Sequence, residues 1–307
     1  MPALRCFEPA RSSRYVPPLR RNGVRIAPAL HELRSDERRV RVRIVRRVHP
    51  GALMLDPRRV KTPSTRDVAA LTFIGEGFEV AQYQLHAAIF PSVSAVVVSH
   101  FVTRAVRNGW IAVERWNRVG INRLRLTAGG REAVIRAGGD PSSVFVPRRP
   151  VATKDVAHTL WINDVRVALQ NSAAAFNAVL PAWQLQRRMT PAPAAIPDLL
   201  AIRSGGDKAP ALVFACEIDL GGERLLRTLL PKLQKLHGLL LDWSGAADST
   251  ILVLTSSTQR ASMINDFTRS EGLSAVAVAL PSESGVNGMR SVAALVARVL
   301  GRGVKSN

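Results

Sequence analysis

Two adjacent stretches decide the fold: Pro197-Asp198-Leu199-Leu200-Ala201-Ile202-Arg203 and, after the turn residues Gly205-Gly206-Asp207, Ala211-Leu212-Val213-Phe214-Ala215-Cys216-Glu217-Ile218-Asp219. The first reads as a strand over 197–203. The second, within 210–219, is a continuous apolar run of the kind a strand covered on both faces carries. Side chains alternate across a strand, so Glu217 and Asp219, two apart, share one face at its end. A carboxylate closing an apolar strand is costly unless it is partnered. If the two strands are antiparallel neighbours, the start of one lies beside the end of the other, and Asp198 meets Glu217 and Asp219 there. Leu220-Gly221-Gly222 then turns the chain into a Leu-rich helix over 223–241, which Pro231 should kink or divide.

Outward from this pair the pattern keeps alternating. Helices are predicted over 156–175, 259–269 and 290–300, and strands over 182–187, 250–254 and 274–280. Such an order implies a mixed sheet flanked by helices. Clustered carboxylate oxygens suit hard divalent ions, and Mg²⁺ takes one or two carboxylates together with phosphate oxygens. Asp198, Glu217 and Asp219 are therefore the expected ligands for Mg²⁺ or Mn²⁺. His158 stands near the start of the 156–175 helix, where it either points into the site or is an ordinary helix-start histidine. Asp164 and Arg166 on that helix read as a solvated face or as a structural pair with the sheet. Lys232 and Lys235 are three apart, on one helix face. Cys216 reads as buried core.

Charge separates the two halves of the 307 residues. Residues 1–150 hold 27 Lys+Arg against 11 Asp+Glu, and residues 151–307 hold 16 against 12, so the formal charge of +20 is concentrated at the N-terminal side. That excess exceeds what solubility needs and points to a polyanion, with double-stranded DNA the expected partner. No apolar run is long enough for a membrane span, and no secretory leader is visible, so a cytoplasmic protein without a membrane partner is expected. Two cysteines, Cys6 and Cys216, cannot build a disulfide framework.

Residues 1–61 are Arg-rich and interrupted by prolines; they form an N-terminal arm or extension. Residues 62–137 read as one unit. Ser64 and Thr65 before Asp67 start a helix running to Gly75 or Gly77. Further helices fit 79–89 and 92–108, the last closed by Gly109. Strands at 110–115 and 121–126 flank the turn Asn117-Arg118-Val119-Gly120, and Thr127 caps a final helix. Three helices and a basic hairpin make the pattern of a winged helix-turn-helix, whose third helix enters the major groove. The residues expected to contact DNA are Ser94, Ser99, Thr103, Arg104 and Arg107 on that helix and Arg115, Arg118, Arg123 and Arg125 on the wing. Residues 138–153, rich in Gly, Pro and Ser, read as a linker to the second domain, 154–303.

The step Leu126-Thr127-Ala128-Gly129-Gly130 resembles the one that follows the wing in winged-helix regulators. Pro197-Asp198 and Glu217-Ile218-Asp219 resemble the motif of the PD-(D/E)xK, restriction-endonuclease-like, nucleases. The resemblance is partial, because Asp219 stands where those enzymes have a lysine that orients or activates the attacking water; Lys232 or Lys235 on the next helix would replace it. A resemblance over 62–242 is to the replication-relaxation family of plasmids and mobile elements. It is carried by His158 to Leu169, Trp183, Pro197-Asp198, Glu217 to Glu223, and Lys232, with departures at Gln186 and Leu236. Together these readings imply an α+β/α/β chain: a winged helix-turn-helix followed by a restriction-endonuclease-like mixed-sheet domain. The expected function is DNA binding on a mobile element, with divalent-metal-dependent nicking or cutting by Asp198, Glu217, Asp219, Lys232 and His158. The alternative is a non-catalytic regulator of transcription or plasmid replication on a degenerate nuclease fold. A homodimer or a mobile-element protein is the expected protein partner.

Overall fold

The computed structural model describes residues 62–116, 120–172, 176–188, 195–203, 212–220, 223–244, 248–280 and 285–303, all within the compact unit Leu55–Asn307. The expected arm over 1–61, Arg118 with its turn neighbours 117 and 119, and the turns at 205–207 and 221–222 lie outside the described residues.

Helix α1 (Thr65–Glu76) begins where the sequence places a hydroxyl and an acid. Ser64 Oγ accepts from the Asp67 N–H at 3.2 Å, and the Asp67 carboxylate accepts from the Ser64 N–H at 3.1 Å. Two donors that a first turn leaves open are thereby satisfied. The predicted helix over 79–89 is shorter than expected. Val80–Ala81 form a two-residue strand, β1, and helix α2 (Gln82–Ile89) starts after it. Gln84 Oε1 takes the Ala81 N–H at 2.8 Å, the half of a capping box that needs no side chain at Ala81.

Helix α3 (Ala95–Arg107), strands β2 (Ile111–Trp116) and β3 (Ile121–Leu126) and helix α4 (Ala128–Arg136) follow, with Thr127 capping α4. Gly120 holds φ at +67° in the β2–β3 turn, where a side chain would be strained. The three strands form an antiparallel sheet in the order β1-β3-β2. Leu71, Ile74, Leu85, Phe101, Trp110 and Leu124 fill the core between this sheet and the helices. The stretch 138–153 is anchored to the same core: Val144 is buried in it, and the Phe145 N–H donates to the Gly75 carbonyl at 3.1 Å.

A second sheet is built from β4 (Ala178–Pro181), β5 (Leu199–Arg203), β6 (Leu212–Asp219), β7 (Asp248–Thr255) and β8 (Ala275–Ala279), in that spatial order. The pairs β4–β5 and β5–β6 are antiparallel, and β6–β7–β8 are parallel. Parallel neighbours need crossover connections, here α7 (Glu223–Ser244) and α8 (Thr258–Ser270). Helix α5 (Val156–Gln170) precedes the sheet, and α9 (Gly285–Gly303) closes it.

One local expectation is corrected, and a second is narrowed. Residues 182–187, read as a strand, form helix α6 (Ala182–Arg188). Trp183, Gln184 and Leu185 are buried consecutively, and Arg187, one turn on, places its guanidinium 5.3 Å from the Trp183 ring. That is helical, not alternating, geometry. Pro231 does not divide α7. Leu229, Leu233, Leu236 and Leu240 keep one buried stripe across it. Burial of four leucines at about 1.5–3 kcal/mol each outweighs a proline penalty of about 3 kcal/mol.

Strand β6 positions the site. Phe214, Cys216 and Ile218 pack toward α5 and α9 with Val165 and Val292. Val213 and Ala215 pack toward α7 and α8 with Leu233 and Ile264. The period of two continues into the polar end of the strand, so Glu217 and Asp219 share the α7/α8 face.

Candidate active site

A cleft of about 450 Å³ opens at the end of β6, lined by Lys154, His158, Asp198, Glu217, Asp219 and Lys232 among others. Leu199 faces Cys216 across the antiparallel β5–β6 pair, so the next step of the register sets Asp198 beside Glu217. Asp198 Oδ2 accepts the Ile218 N–H at 2.8 Å and lies 3.2 Å from His158 Nε2. Burial acts to lower the His158 pKa, but the hydrogen bond and charge of Asp198, with the charge of Glu217, outweigh it and raise the net value.

Glu217 is 4% exposed. Burial, then the charge of Asp198, pushes its carboxyl up to about 8, against the lowering pull of Lys232 and His158. Lys232, from α7, places Nζ 2.8 Å from each Glu217 oxygen. Only Oε2 receives a well-directed hydrogen bond; the buried Oε1 receives none. Lys235 is exposed on α7.

Asp219 does not join this pair. Arg260, from α8, binds both of its oxygens, Nε to Oδ2 and Nη2 to Oδ1 at 3.1 Å. Thr255 Oγ1 lies 3.5 Å from Oδ2 as well. A bidentate arginine of this kind is a strong, directional partner. Among the described residues no group of three or more His, Cys, Asp or Glu side chains is arranged to hold a metal ion. The two carboxylates that do meet still suit a hard divalent ion shared with phosphate oxygens, and Glu217 Oε1 is a buried acceptor without a directed donor.

Helix α5 ties this cleft to the N-terminal helices. Asp164 and Arg166 are neither solvated nor paired with the sheet; both are buried against α1 and α2. Gln84 Nε2 donates to Asp164 Oδ1 at 2.7 Å and Tyr83 donates to Oδ2 at 3.3 Å. Burial pushes the Asp164 carboxyl up to about 7. Arg166 Nη2 donates to the Phe73 carbonyl at 2.8 Å, and its guanidinium sits 4.0 Å from the Phe73 ring centroid. Burial pushes its pKa down to about 10, with Glu76 opposing. Asn163 Nδ2 donates to the Gly77 carbonyl at 3.1 Å and the Glu79 carbonyl at 2.9 Å. Gly77 has to be glycine there, since a Cβ would lie 2.6 Å from Asn163 Oδ1.

The residues expected to touch DNA divide in two. Ser94 just before α3, Ser99, Thr103 and Arg107 on α3, and Arg115 on β2 are exposed. Ser99 Oγ also accepts from Gln82 Nε2 at 2.9 Å, and Arg104 is ion-paired with Asp67. Arg123 is turned inward: Nη1 bonds Glu79 at 2.7 Å and Nη2 bonds Glu114 at 2.9 Å. The cause is its position on the central strand, between β1 and β2. Arg125 lies partly buried, 3.3 Å from the Pro147 carbonyl.

A family model described as replication-relaxation matches residues 71–240, more than half of the chain. The chain belongs to the replication-relaxation family. The matched span runs from α1 to α7 and includes Asp198, Glu217 and Lys232. Membership suggests a role for this replication-relaxation protein in the replication or mobility of plasmids and mobile elements. The crystal structure of protein VC1899 from Vibrio cholerae is similar at 10% identity and a TM-score of 0.28, over 79% of this chain and 58% of that one. The replication-relaxation protein thus spans less than two thirds of that chain's length. No curated protein matches its sequence. Among its described residues no helix is long and apolar enough to cross a membrane.

Proposed function

We propose that this replication-relaxation protein binds double-stranded DNA through a winged helix-turn-helix over 62–137. A restriction-endonuclease-like domain over 154–303 then nicks or cuts it at the Asp198–Glu217 cleft, with Mg²⁺ or Mn²⁺. The observation that carries the reading is Lys232. It brings an ammonium 2.8 Å from Glu217, in the cleft where the strand motif has Asp219 in place of its lysine.

Asp198 and Glu217 would hold the ion, which when bound would polarise water and stabilise charge on the phosphodiester. The chain's own groups do the rest. Lys232 favours the ionised form of Glu217 and offers its remaining protons to a phosphate oxygen. His158 fixes Asp198 Oδ2 through Nε2 and stands where a proton can be given or taken within the cleft. Exposed Lys154 adds positive charge at the mouth. The DNA reading is supported by exposed Ser99, Thr103 and Arg107 on α3, which share its surface with Val96, Val97 and Val106, and by Arg115 beside the β2–β3 turn.

A second reading is a non-catalytic DNA-binding regulator on a nuclease-like scaffold. The Arg260 clamp on Asp219 favours it, because it engages both oxygens of one of the three acids that line the cleft. A gel shift at low salt, followed by metal addition to the bound duplex, tests the proposal. It predicts a shift and then metal-dependent cleavage. A shift without cleavage in either metal selects the regulator, and no shift rejects both.

A further inference from the structure

A second cavity, about 230 Å³, adjoins the carboxylate cleft, and Asp198 lines both. Phe78, Ile162, Pro181 and Trp183 form its apolar walls, and Glu76, whose carboxylate lies 3.7 Å from Arg166 Nη1, is among its other lining residues. The aromatic wall is fixed in place. The Phe78 and Phe145 ring centroids are 4.4 Å apart, and the Trp183 ring stands edge-on to Phe78 at 6.3 Å and 75°. Trp183 is held by its indole N–H, which donates to the Glu76 carbonyl at 2.9 Å. The Arg187 guanidinium lies 5.3 Å from both the Phe145 and Trp183 rings, placing positive charge beside the wall.

Phe78 adopts φ +64°, alone among the described non-glycine residues. A bulky residue rarely takes that conformation, and Gly or Asn would make the turn with less strain. Backbone strain of this kind persists where the surroundings over-determine it and concentrates at ligand clamps. The ring itself is thus the feature that needs a reason, and it lines the cavity.

We propose that this cavity takes an unpaired nucleobase of the DNA strand whose phosphate lies at the Asp198–Glu217 cleft. The inference rests on the DNA-cleaving reading above and names its substrate: DNA that is single-stranded or locally unpaired beside the cut. Base and phosphate of a nucleotide are joined through one sugar, and the two cavities are joined through one residue, Asp198. The volume suits one base, and the aromatic side chains suit stacking. A base inside an intact duplex cannot reach such a pocket without being unstacked.

The test uses the full chain without added metal and a single-stranded oligonucleotide carrying 2-aminopurine, beside a fully paired duplex. Wild type is expected to quench the fluorescence on binding. Phe78→Asn tolerates the positive φ, and thermal unfolding checks that the variant is folded. It is expected to lose the quenching and to bind the single strand roughly 5- to 150-fold more weakly, the range for one base stacked on an aromatic ring. Its duplex binding should be unchanged. Equal quenching by Phe78→Asn overturns the base pocket, as does wild-type duplex binding without quenching of the single strand. Loss of all DNA binding by wild type overturns both this inference and the reading beneath it, so the two failures are distinguishable.

Discussion

Glu217 at the end of β6 and Lys232 on α7 are fifteen residues apart in sequence and 2.8 Å apart in space. Two periodicities bring them together. Strand alternation turns Glu217 toward α7, and the buried stripe of Leu229, Leu233, Leu236 and Leu240 fixes how α7 is rotated. Lys232 lies beside that stripe with a third of its side chain exposed, so its tip borders the cleft while Glu217 stays buried.

Removing one member of such a pair leaves the other uncompensated. Lys232→Ala is expected to destabilise the fold by about 1–3 kcal/mol, less than for a fully buried pair because the lysine is partly solvated. Glu217→Gln in the same chain should recover most of that loss. Urea unfolding of the two single variants and the double variant measures the coupling, and additive losses would contradict the pairing.

Asp219 and Arg260 form the structural counterpart. Arg260→Ala strands a buried carboxylate and is expected to cost about 3–5 kcal/mol. Asp219→Asn should cost about 1–3 kcal/mol and leave any DNA cutting within a few-fold of wild type. If Asp219→Asn abolishes cutting while its unfolding midpoint is unmoved, Asp219 belongs to the site and the clamp opens in the working state.

Asp164 predicts a pH dependence of stability. Its carboxyl titrates near 7 when folded, because burial disfavours the charge, and near its ordinary value when unfolded. Between about pH 4 and 7 the folded chain therefore holds a proton that the unfolded chain has released. Stability from this residue is full below about pH 4, falls as pH rises to about 7, and is flat above, at up to about 1.4 kcal/mol per pH unit. Asp164→Asn keeps an oxygen for Gln84 and should reduce the measured slope, leaving the part that Glu217 contributes. An unchanged slope in denaturant titrations from pH 4 to 8 would count against the assignment.

Arg107 and Arg123 should behave differently in DNA binding. Exposed Arg107, changed to Ala, is expected to weaken duplex binding and lower the slope of log affinity against log salt by about 1. Arg123→Ala removes the partner of buried Glu79, so it should lower the melting temperature without that change in slope. Binding isotherms at several salt concentrations, read beside melting curves, separate the two roles.

The strand that follows Asp198 and the one that carries Glu217 were legible because both the apolar run and the alternation lie within a few residues. The α1 start was legible for the same local reason, Ser64 and Asp67 being three apart. Helix α6 was not, since seven residues are too few to show a period of 3.6 against one of two. Nor was the Asp219–Arg260 bond: the partners are 41 residues apart, and nothing local selects one arginine among many. Asp164 and Arg166 were misjudged because an amphipathic template assumes one buried face. Helix α5 has two, with Val165, Ala168 and Leu169 on the sheet and Asn163, Asp164 and Arg166 on the N-terminal helices.

The most direct test of the central claim is conversion of supercoiled plasmid by purified protein in Mn²⁺, beside an Asp198→Ala/Glu217→Ala variant shown to be folded. The account predicts metal-dependent nicking by wild type and none by the variant, with both retaining duplex binding. Equal nicking by both, or binding without nicking in Mn²⁺, would contradict a cutting site at Asp198 and Glu217.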